Sequence, residues 1–161
     1  MNIIYIHHAH RKREFPRSQD EDITELGERD ANLTAELLKA SNLKIDKIYT
    51  SEFYRCTKTA NIINKYLNAK IIIEPRFNEH GSREGESWLD TQLRIREALM
   101  DIIKSHNNED NIVCVTSGIN VVAFIGLYYG IEPANNLPII GVPSCSPLSF
   151  QFDKDKYAPW H

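Results

Sequence analysis

Three histidines follow an apolar run near the start of the chain and are the residues best suited to chemistry. The run 3–6 ends in His7, His8 and His10, and a basic segment begins at Arg11. A neutral imidazole acts as a nucleophile, a general base or a metal ligand near pH 7. Ligands of α/β sheets bind at the carboxyl ends of the strands. The histidines therefore predict a functional site, and a solvated loop is the alternative.

The rest of the chain alternates between strand-like and helix-like segments that would position such a site. Helices are predicted from Thr24, as N-cap, to about Ser41, and after Ser51 as the next cap. Further helices carry Leu89 to Ile103 and run from Ile119 to Tyr129. Strands are predicted at 2–6, 46–50, 70–74, 111–115 and 146–152. The alternation indicates a three-layer α/β/α sandwich with a mostly parallel central sheet, in a single domain over residues 1–161.

Three polar side chains follow the ends of different predicted strands. His8 follows the first strand, Arg55 the second and Ser117 the fourth. Because the carboxyl ends of parallel strands meet at one edge of a sheet, we expect these side chains to line one crevice.

The charge balance argues against nucleic acid and anionic membranes as partners. The net charge is −3 and the pI is about 6.1, so any charge that binds phosphate must be local. One basic cluster exists, at Arg11, Lys12, Arg13 and Arg17. It is either a solvated loop or a surface for an acidic or phosphorylated partner.

The cysteines and the N-terminus favour a cytoplasmic protein. Cys56, Cys114 and Cys145 are odd in number and far apart, which predicts neither a disulfide framework nor a zinc knuckle. Strand-like residues follow Met1 directly, without a signal-peptide pattern, and no apolar run is long enough for a membrane span. In the tail, Trp160 is a candidate for packing against a neighbouring molecule.

In its motifs the chain resembles the histidine phosphatase superfamily, the phosphoglycerate mutase-like family. The most specific match is the pattern Ser-x-x-x-Arg-x-x-x-Thr-Ala, which residues 51–60 meet in full. The other segments that correspond, in order, are Ile6-His7-His8-Ala9, Ile23-Thr24-Glu25-Leu26-Gly27, Asn78-Glu79, Gly85-Glu86-Ser87 with Arg94 downstream, and Thr116-Ser117-Gly118. The resemblance covers nearly the whole chain and is to the short, compact members of the family.

The resemblance implies a phosphatase that works through a phosphohistidine, with no cofactor and no metal. His8 would be the nucleophile and Glu79 the proton donor. The residues expected around the phosphate are His7, Arg55, Ser117 and Gly118, with His10 and Arg11 as accessory groups. The implied substrate is a phosphorylated small molecule or a phosphoprotein.

Three residues depart from the family pattern. His7 replaces an arginine, Ser117 replaces a second histidine, and Ala9 replaces a glycine, where a positive φ would bring strain. Each lost donor to a developing oxyanion costs about a hundred- to a thousandfold in rate, so weak turnover is expected. If His7 gains a proton beside the phosphate, activity would improve as the pH falls from about 8 towards 6.

Two other hypotheses remain. A catalytically inactive phosphate-binding or interaction module would keep the fold and Arg55 without turnover. A metal site built from His8 and His10 is the third, because alternation along a strand end would direct His7 away from them.

Overall fold

The computed structural model describes residues 1–14, 16, 18–135 and 141–157. Its order of elements is β1 (Asn2–His7), α1 (Glu25–Ala40), β2 (Lys47–Thr50), α2 (Tyr54–Leu67), β3 (Lys70–Ile73), α3 (Trp88–Ser105), β4 (Asn111–Thr116), α4 (Val121–Tyr129), β5 (Pro147–Gln151) and α5 (Lys154–Tyr157). Short 3₁₀ turns at Pro75–Phe77 and Gly118–Asn120 precede α3 and α4. Arg17 of the basic loop and the tail residues 158–161 with Trp160 lie outside the described residues.

The sheet has five strands in the order β3-β2-β4-β1-β5. The first four are parallel, and β5 runs antiparallel to β1 at the edge. The prediction of a mostly parallel α/β sheet flanked by helices is confirmed. The register pairs His7 of β1 with Thr116 of β4, which brings the two chain segments that carry candidate site residues together.

Apolar residues of β1 alternate between the two faces of the sheet. Ile3 and Tyr5 pack in the core on the α3 and α4 side, whereas Ile4 and Ile6 pack on the α1 and α2 side. This alternation continues beyond the strand, so that His7 leans towards the loop before α4 and His8 towards α2. One buried strand thus contributes apolar side chains to the core on both faces of the sheet.

The helix starts test the predicted caps. Thr24 is the N-cap of α1, and its side chain accepts a hydrogen bond from the Gly27 amide, as predicted. The cap predicted at Ser51 is wrong, because α2 begins at Tyr54 with Phe53 in the cap position. The Ser51 hydroxyl instead donates to Asn78 Oδ1 at 2.8 Å, a contact between distant segments that local pattern does not reveal.

The segment after β4 also differs from the prediction. A helix was expected from Ile119, but a 3₁₀ turn comes first and the α-helix begins at Val121. Side-chain bonds from buried Asn120 to Thr116 Oγ1 and to the Phe77 carbonyl fix this turn. The α-helical N-terminus therefore lies further from Ser117 than the sequence predicted.

Candidate active site

His8 stands at the end of β1 as a buried, neutral imidazole. Its Nδ1 lies 2.8 Å from the Ala9 carbonyl, which can only accept, so Nδ1 carries the proton and Nε2 keeps its lone pair. Burial, followed by the charges of His7 and Arg55, lowers the pKa of His8 well below 6.5. An imidazole anchored in this way presents a nucleophilic nitrogen at neutral pH.

Arg55 of α2 brings a guanidinium directly to that nitrogen. Its Nε donates to His8 Nε2 at 3.2 Å, and its Nη2 donates to Glu79 Oε2 at 2.6 Å. The side chain is 1% exposed, and its guanidinium carbon lies 4.7 Å from the centre of the Phe53 ring. Arg55 Nη1 is buried without a hydrogen-bond partner among the described residues. Buried donors are normally satisfied, so this unused N–H is available to an anionic ligand.

Two spacings in the motifs of the sequence have a simple geometric cause. Thr59, one turn after Arg55, accepts from the Ala9 amide at 3.0 Å and donates to the Arg55 carbonyl at 2.6 Å. A Cβ on Gly27 would lie 2.5 Å from the His10 carbonyl, so only glycine lets α1 approach the histidine loop. These contacts lock the backbone of the loop against both helices.

Ala9 carries no backbone strain. The non-glycine residues with positive φ in the described part of the chain are Asn42, Asn68 and Cys145. The methyl group of Ala9 is fully buried, and the residue packs in a small core with Ile23 and Ala31. Replacing the family's glycine at this position therefore brings no positive-φ penalty.

Arg94 holds the loop that presents Glu79. Its Nη1 donates to the carbonyls of Arg76 at 2.6 Å and Asn78 at 2.7 Å, and its Nη2 to that of Glu79 at 3.2 Å. It also donates twice to Glu86, at 2.5 and 3.0 Å, and once to Ser82 Oγ at 3.4 Å. The arginine that the motif places downstream thus positions the candidate proton donor rather than the phosphate.

His7 lies next to His8 and packs against Gly118, whereas Ser117 is buried before Gly118 and lines neither of the two cavities described below. The His7 ring centre lies 4.5 Å from that of His8, and a Cβ on Gly118 would lie 2.8 Å from His7 Cε1. His7 Nδ1 donates to the Val142 carbonyl at 2.8 Å, and burial lowers its pKa from 6.5. The buried Ser117 hydroxyl has no hydrogen-bond partner among the described residues. Gly118 therefore makes room for an imidazole beside a free hydroxyl.

Two cavities meet at this cluster. The first, called here the histidine cavity, has a volume of about 230 Å³ and is lined by His7, His8, His10, Arg11, Arg13, Glu79 and Ser144. The second, called here the arginine cavity, has a volume of about 190 Å³ and is lined by Ser18, Gln19, Phe53, Arg55, Glu79, His80, Gly81 and Ser82. Glu79 lines both cavities and is therefore the residue that the two have in common.

The accessory residues named from sequence lie at the mouth of the histidine cavity. His10 is exposed, and its Nδ1 lies 3.1 Å from Thr24 Oγ1. Arg11 is ion-paired through Nη1 with Glu21, which is fully buried. No motif or periodicity marked Glu21 in the polar loop, so sequence reasoning missed it.

The expectation that His7 points away from His8 is wrong. The backbone alternation is present, but at the carboxyl edge of the sheet the two rings turn towards each other into T-shaped contact.

Over residues 1–14, 16, 18–135 and 141–157, no group of three or more His, Cys, Asp or Glu side chains is arranged to hold a metal ion. Cys56 and Cys114 are buried, and burial raises the pKa of Cys56 to about 12.

Comparison with known proteins identifies the family. The family model of the histidine phosphatase superfamily, branch 1, matches residues 6–82 and 78–159. The chain therefore belongs to the histidine phosphatase superfamily, as its motifs predicted. It is also similar to the "Probable phosphoglycerate mutase GpmB" of Photorhabdus laumondii, at 42% identity over 60 residues. That match spans 37% of this chain and 27% of the relative's length.

Solved structures share the fold over nearly the whole chain. The protein histidine phosphatase SixA, solved with tungstate, has a TM-score of 0.75 at 14% identity and covers 96% of this chain and 90% of its own. Bacillus stearothermophilus YhfR has a TM-score of 0.75 at 22% identity, covering 94% and 91%. The mycobacterial glucosyl-3-phosphoglycerate phosphatase Rv2419c has a TM-score of 0.72 at 18% identity, covering 92% of this chain and 88% of its own.

Among the described helices none is long and apolar enough to cross a membrane.

The pKa directions give a first prediction. Because burial lowers the pKa of both His7 and His8 from 6.5, both rings stay neutral in the free protein between pH 8 and 6.5. The prediction that activity improves as the pH falls from about 8 towards 6 assumes an unperturbed histidine pKa. Because the pKa of His7 is lowered, we expect this improvement in activity below pH 6.5 instead. In ¹H–¹⁵N spectra of the free protein we expect both imidazoles to titrate below pH 6.5. Added phosphate should raise the pKa of His7, since a nearby anion favours the imidazolium. A His8 midpoint at or above 6.5 in the free protein would contradict the buried site.

Proposed function

We propose that the protein hydrolyses a phosphomonoester or a phosphohistidine through a phosphohistidine formed on His8. The single observation that carries this proposal is the 3.2 Å contact between His8 Nε2 and Arg55 Nε. It places a nucleophilic nitrogen and a permanent cation at the same point, and membership of the histidine phosphatase superfamily supports it. Positioning and charge neutralisation are what phosphoryl transfer needs from a protein.

The first step uses the lone pair of His8 Nε2. This nitrogen leaves the hydrogen bond that it accepts from Arg55 Nε and attacks phosphorus in line with the leaving group, while the proton on Nδ1 stays bonded to the Ala9 carbonyl. The freed Arg55 Nε–H then donates to the phosphoryl group. The P–O or P–N bond of the substrate breaks as the N–P bond forms, and Glu79 gives its proton to the leaving atom. Water then attacks the phosphohistidine, Glu79 takes the proton, and inorganic phosphate leaves with His8 restored.

Charge on the transferring phosphoryl group is met by Arg55 and its neighbours. Nη1 of Arg55 and the Ser117 hydroxyl are buried groups without a hydrogen-bond partner among the described residues, and both can donate to phosphate oxygens. Nη2 is bonded to Glu79 Oε2, so the same guanidinium connects the phosphate site to the proposed proton donor. A guanidinium keeps its charge at any physiological pH and matches two oxygens at once.

The cavities divide the substrate between them. We place the phosphoryl group at Glu79, the residue that lines both cavities, where His8 reaches it from the histidine cavity and Arg55 from the arginine cavity, and the leaving group in the arginine cavity. Ser18, Gln19, His80 and Ser82 give the arginine cavity a polar wall, and Phe53 an apolar one. Such a wall suits a phosphorylated small molecule or a phosphorylated protein side chain, the two substrate types that the names of the structural relatives describe.

We expect the turnover to be weak. His7 is neutral at pH 7 and cannot replace the arginine that the family carries at this place, and Ser117 offers a hydroxyl in place of an imidazole. Each missing donor costs about a hundred- to a thousandfold in rate.

A catalytically inactive phosphate-binding module is the second candidate. One observation favours it: in the free protein Nη2 of Arg55 is already paired with Glu79 at 2.6 Å, which offsets part of its charge. Such a module would bind phosphate through Arg55 and never transfer it to His8.

Trapping of the intermediate separates the two candidates. The protein is mixed with phosphoramidate or an aryl phosphate, quenched in alkali, where phosphohistidine survives, and digested for mass spectrometry. We expect one phosphoryl group on the peptide that contains His8, and none in a His8→Asn variant. Calorimetric binding of phosphate with no labelled peptide would establish the inactive module, and neither binding nor label would reject both.

A further inference from the structure

The last position of β1, which is His7, lacks a permanent cation. His7 lies beside the nucleophile, but its Nδ1–H is used by the Val142 carbonyl and its ring is neutral at pH 7. Of the two cations expected around a phosphoryl group, the motif residues supply only Arg55. A second guanidinium must therefore come from elsewhere if the site is to hold a phosphate dianion tightly.

Arg11 lies on the wall of the histidine cavity, three residues after His8. It forms an antiparallel bridge with Ile23, and the Lys12 amide donates to the Asp22 carbonyl at 2.8 Å. This pairing fixes the side-chain directions along the loop: the Arg11 side chain is 24% exposed and that of Lys12 is 54% exposed. Arg11 thus faces the cavity that His7 and His8 line, and Lys12 faces solvent.

Glu21 ties Arg11 to the other guanidinium of the site. Oε2 of this carboxylate contacts Arg11 Nη1, and the same oxygen lies 3.9 Å from Arg55 Nη1. The Glu21 side chain is 0% exposed, so both contacts are held in a dry environment. One buried oxygen thus lies near both guanidinium groups, which brings Arg11 and Arg55 close to each other.

Arg11 retains donors for a ligand. Its bond to Glu21 uses one N–H of Nη1, and a guanidinium carries several others in a planar fork. Its charge is also among the causes that lower the pKa of both His7 and His8, in keeping with a position near the two rings.

We propose that Arg11 is the second phosphate-binding guanidinium of this site, held in place by buried Glu21, and that it replaces the cation missing at His7. This inference rests on the proposed phosphate site at His8 and Arg55. It assigns Arg11 a direct contact with phosphate oxygens and Glu21 the role of a positioning residue.

The test measures the affinity for inorganic phosphate by calorimetry at pH 7.5. Loss of one hydrogen bond to a charged group should weaken binding by about tenfold or more in Arg11→Ala. Lys12→Ala, the matched control from the neighbouring position, should stay within about twofold, as expected for an exposed ion pair. In a His7→Arg background the cost of Arg11→Ala should shrink, because the missing cation is then restored.

Several outcomes would overturn the proposal. Equal affinities of Arg11→Ala and Lys12→Ala would do so, and so would an Arg11→Ala cost that is the same in the wild-type and His7→Arg backgrounds. If Arg11→Ala does not fold because Glu21 is left unpaired, Glu21→Gln is compared with Glu21→Gln/Arg11→Ala, which differ only at Arg11, and equal affinities again reject the role.

The two proposals fail in different ways. Phosphate binding that depends on Arg55 but not on Arg11 rejects only the second guanidinium. Wild-type protein without measurable phosphate binding rejects the site itself.

Discussion

Replacing His8 with asparagine is expected to reduce hydrolysis of an aryl phosphate to the rate seen in buffer. Nε2 of His8 is the proposed nucleophile, and asparagine keeps a polar side chain of similar size without that nitrogen. Loss of a nucleophile typically costs at least about a thousandfold. Steady-state release of the aryl alcohol, with protein purified in parallel, measures the effect.

His7 provides the matched control for this experiment. Its Nδ1 also donates to a backbone carbonyl, at 2.8 Å, so its Nε2 carries a lone pair like that of His8. The two rings differ in their neighbours, since Arg55 contacts His8 and Gly118 contacts His7. We expect His7→Asn to retain measurable turnover. Retained activity in His8→Asn together with loss in His7→Asn would assign the nucleophile to His7 instead.

Arg55→Ala is expected to lower kcat/KM by about a hundred- to a thousandfold, the usual cost of one preorganised donor. Arg55→Lys should recover only part of this loss. A lysine ammonium is a point charge, whereas the guanidinium contacts His8 through Nε and Glu79 through Nη2 and keeps Nη1 for the ligand. The kinetic constants should change together, with a higher KM and a lower kcat.

The controls for Arg55 separate function from folding. Arg29→Ala removes an exposed arginine of α1 that lines neither cavity, and it should leave kcat/KM within about twofold. Thermal unfolding of each variant checks the loss of the buried ion pair with Glu79. Folded Arg55→Ala protein with wild-type kcat/KM would remove Arg55 from the mechanism.

The two substitutions also give different binding results. His8→Asn removes the attacking nitrogen but leaves the guanidinium, so phosphate should still bind. Arg55→Ala should lose both binding and turnover. A binding loss confined to His8→Asn would mean that the imidazole, and not the guanidinium, holds the anion.

The sequence was sufficient to predict the fold and the proximity of His8 and Arg55. Buried strands such as β1 and β4 are short apolar runs, and the helices between them have regular apolar spacing, so both are recognised without tertiary information. The pairing of His8 with Arg55 followed from two strand ends that meet at one edge of a parallel sheet. Thr59 explains the spacing inside the motif, because it links the Arg55 helix to the Ala9 amide.

Other features of the site depend on contacts that sequence patterns do not encode. Glu21 lies in a polar loop without periodicity, and its burial becomes apparent only from its contacts with Arg11 and Arg55. Serine is a residue type that commonly caps helices, but the Ser51 hydroxyl instead donates a hydrogen bond to Asn78 of a distant loop. The ring contact between His7 and His8 arises at the carboxyl end of β1, where the two rings extend past the edge of the sheet and turn towards each other although the backbone is still hydrogen-bonded to β4.

The replaced residues leave a changed but coherent pocket. Gly118 makes room for the His7 ring, so two imidazoles still stand side by side, although both come from the end of β1. The Ser117 carbonyl accepts from Tyr5 Oη at 2.6 Å, which holds the turn after β4 in place. The pocket thus has two neighbouring imidazoles, one of which contacts the Arg55 guanidinium.

A crystal structure of the protein with orthovanadate tests the shared anion site most directly. We expect vanadium in line with His8 Nε2. The vanadate oxygens should lie within hydrogen-bond distance of the Arg55 guanidinium and of the Ser117 hydroxyl. Vanadate bound elsewhere, or bound at Arg55 with His8 Nε2 turned away from the metal centre, would contradict a phosphohistidine mechanism at this site.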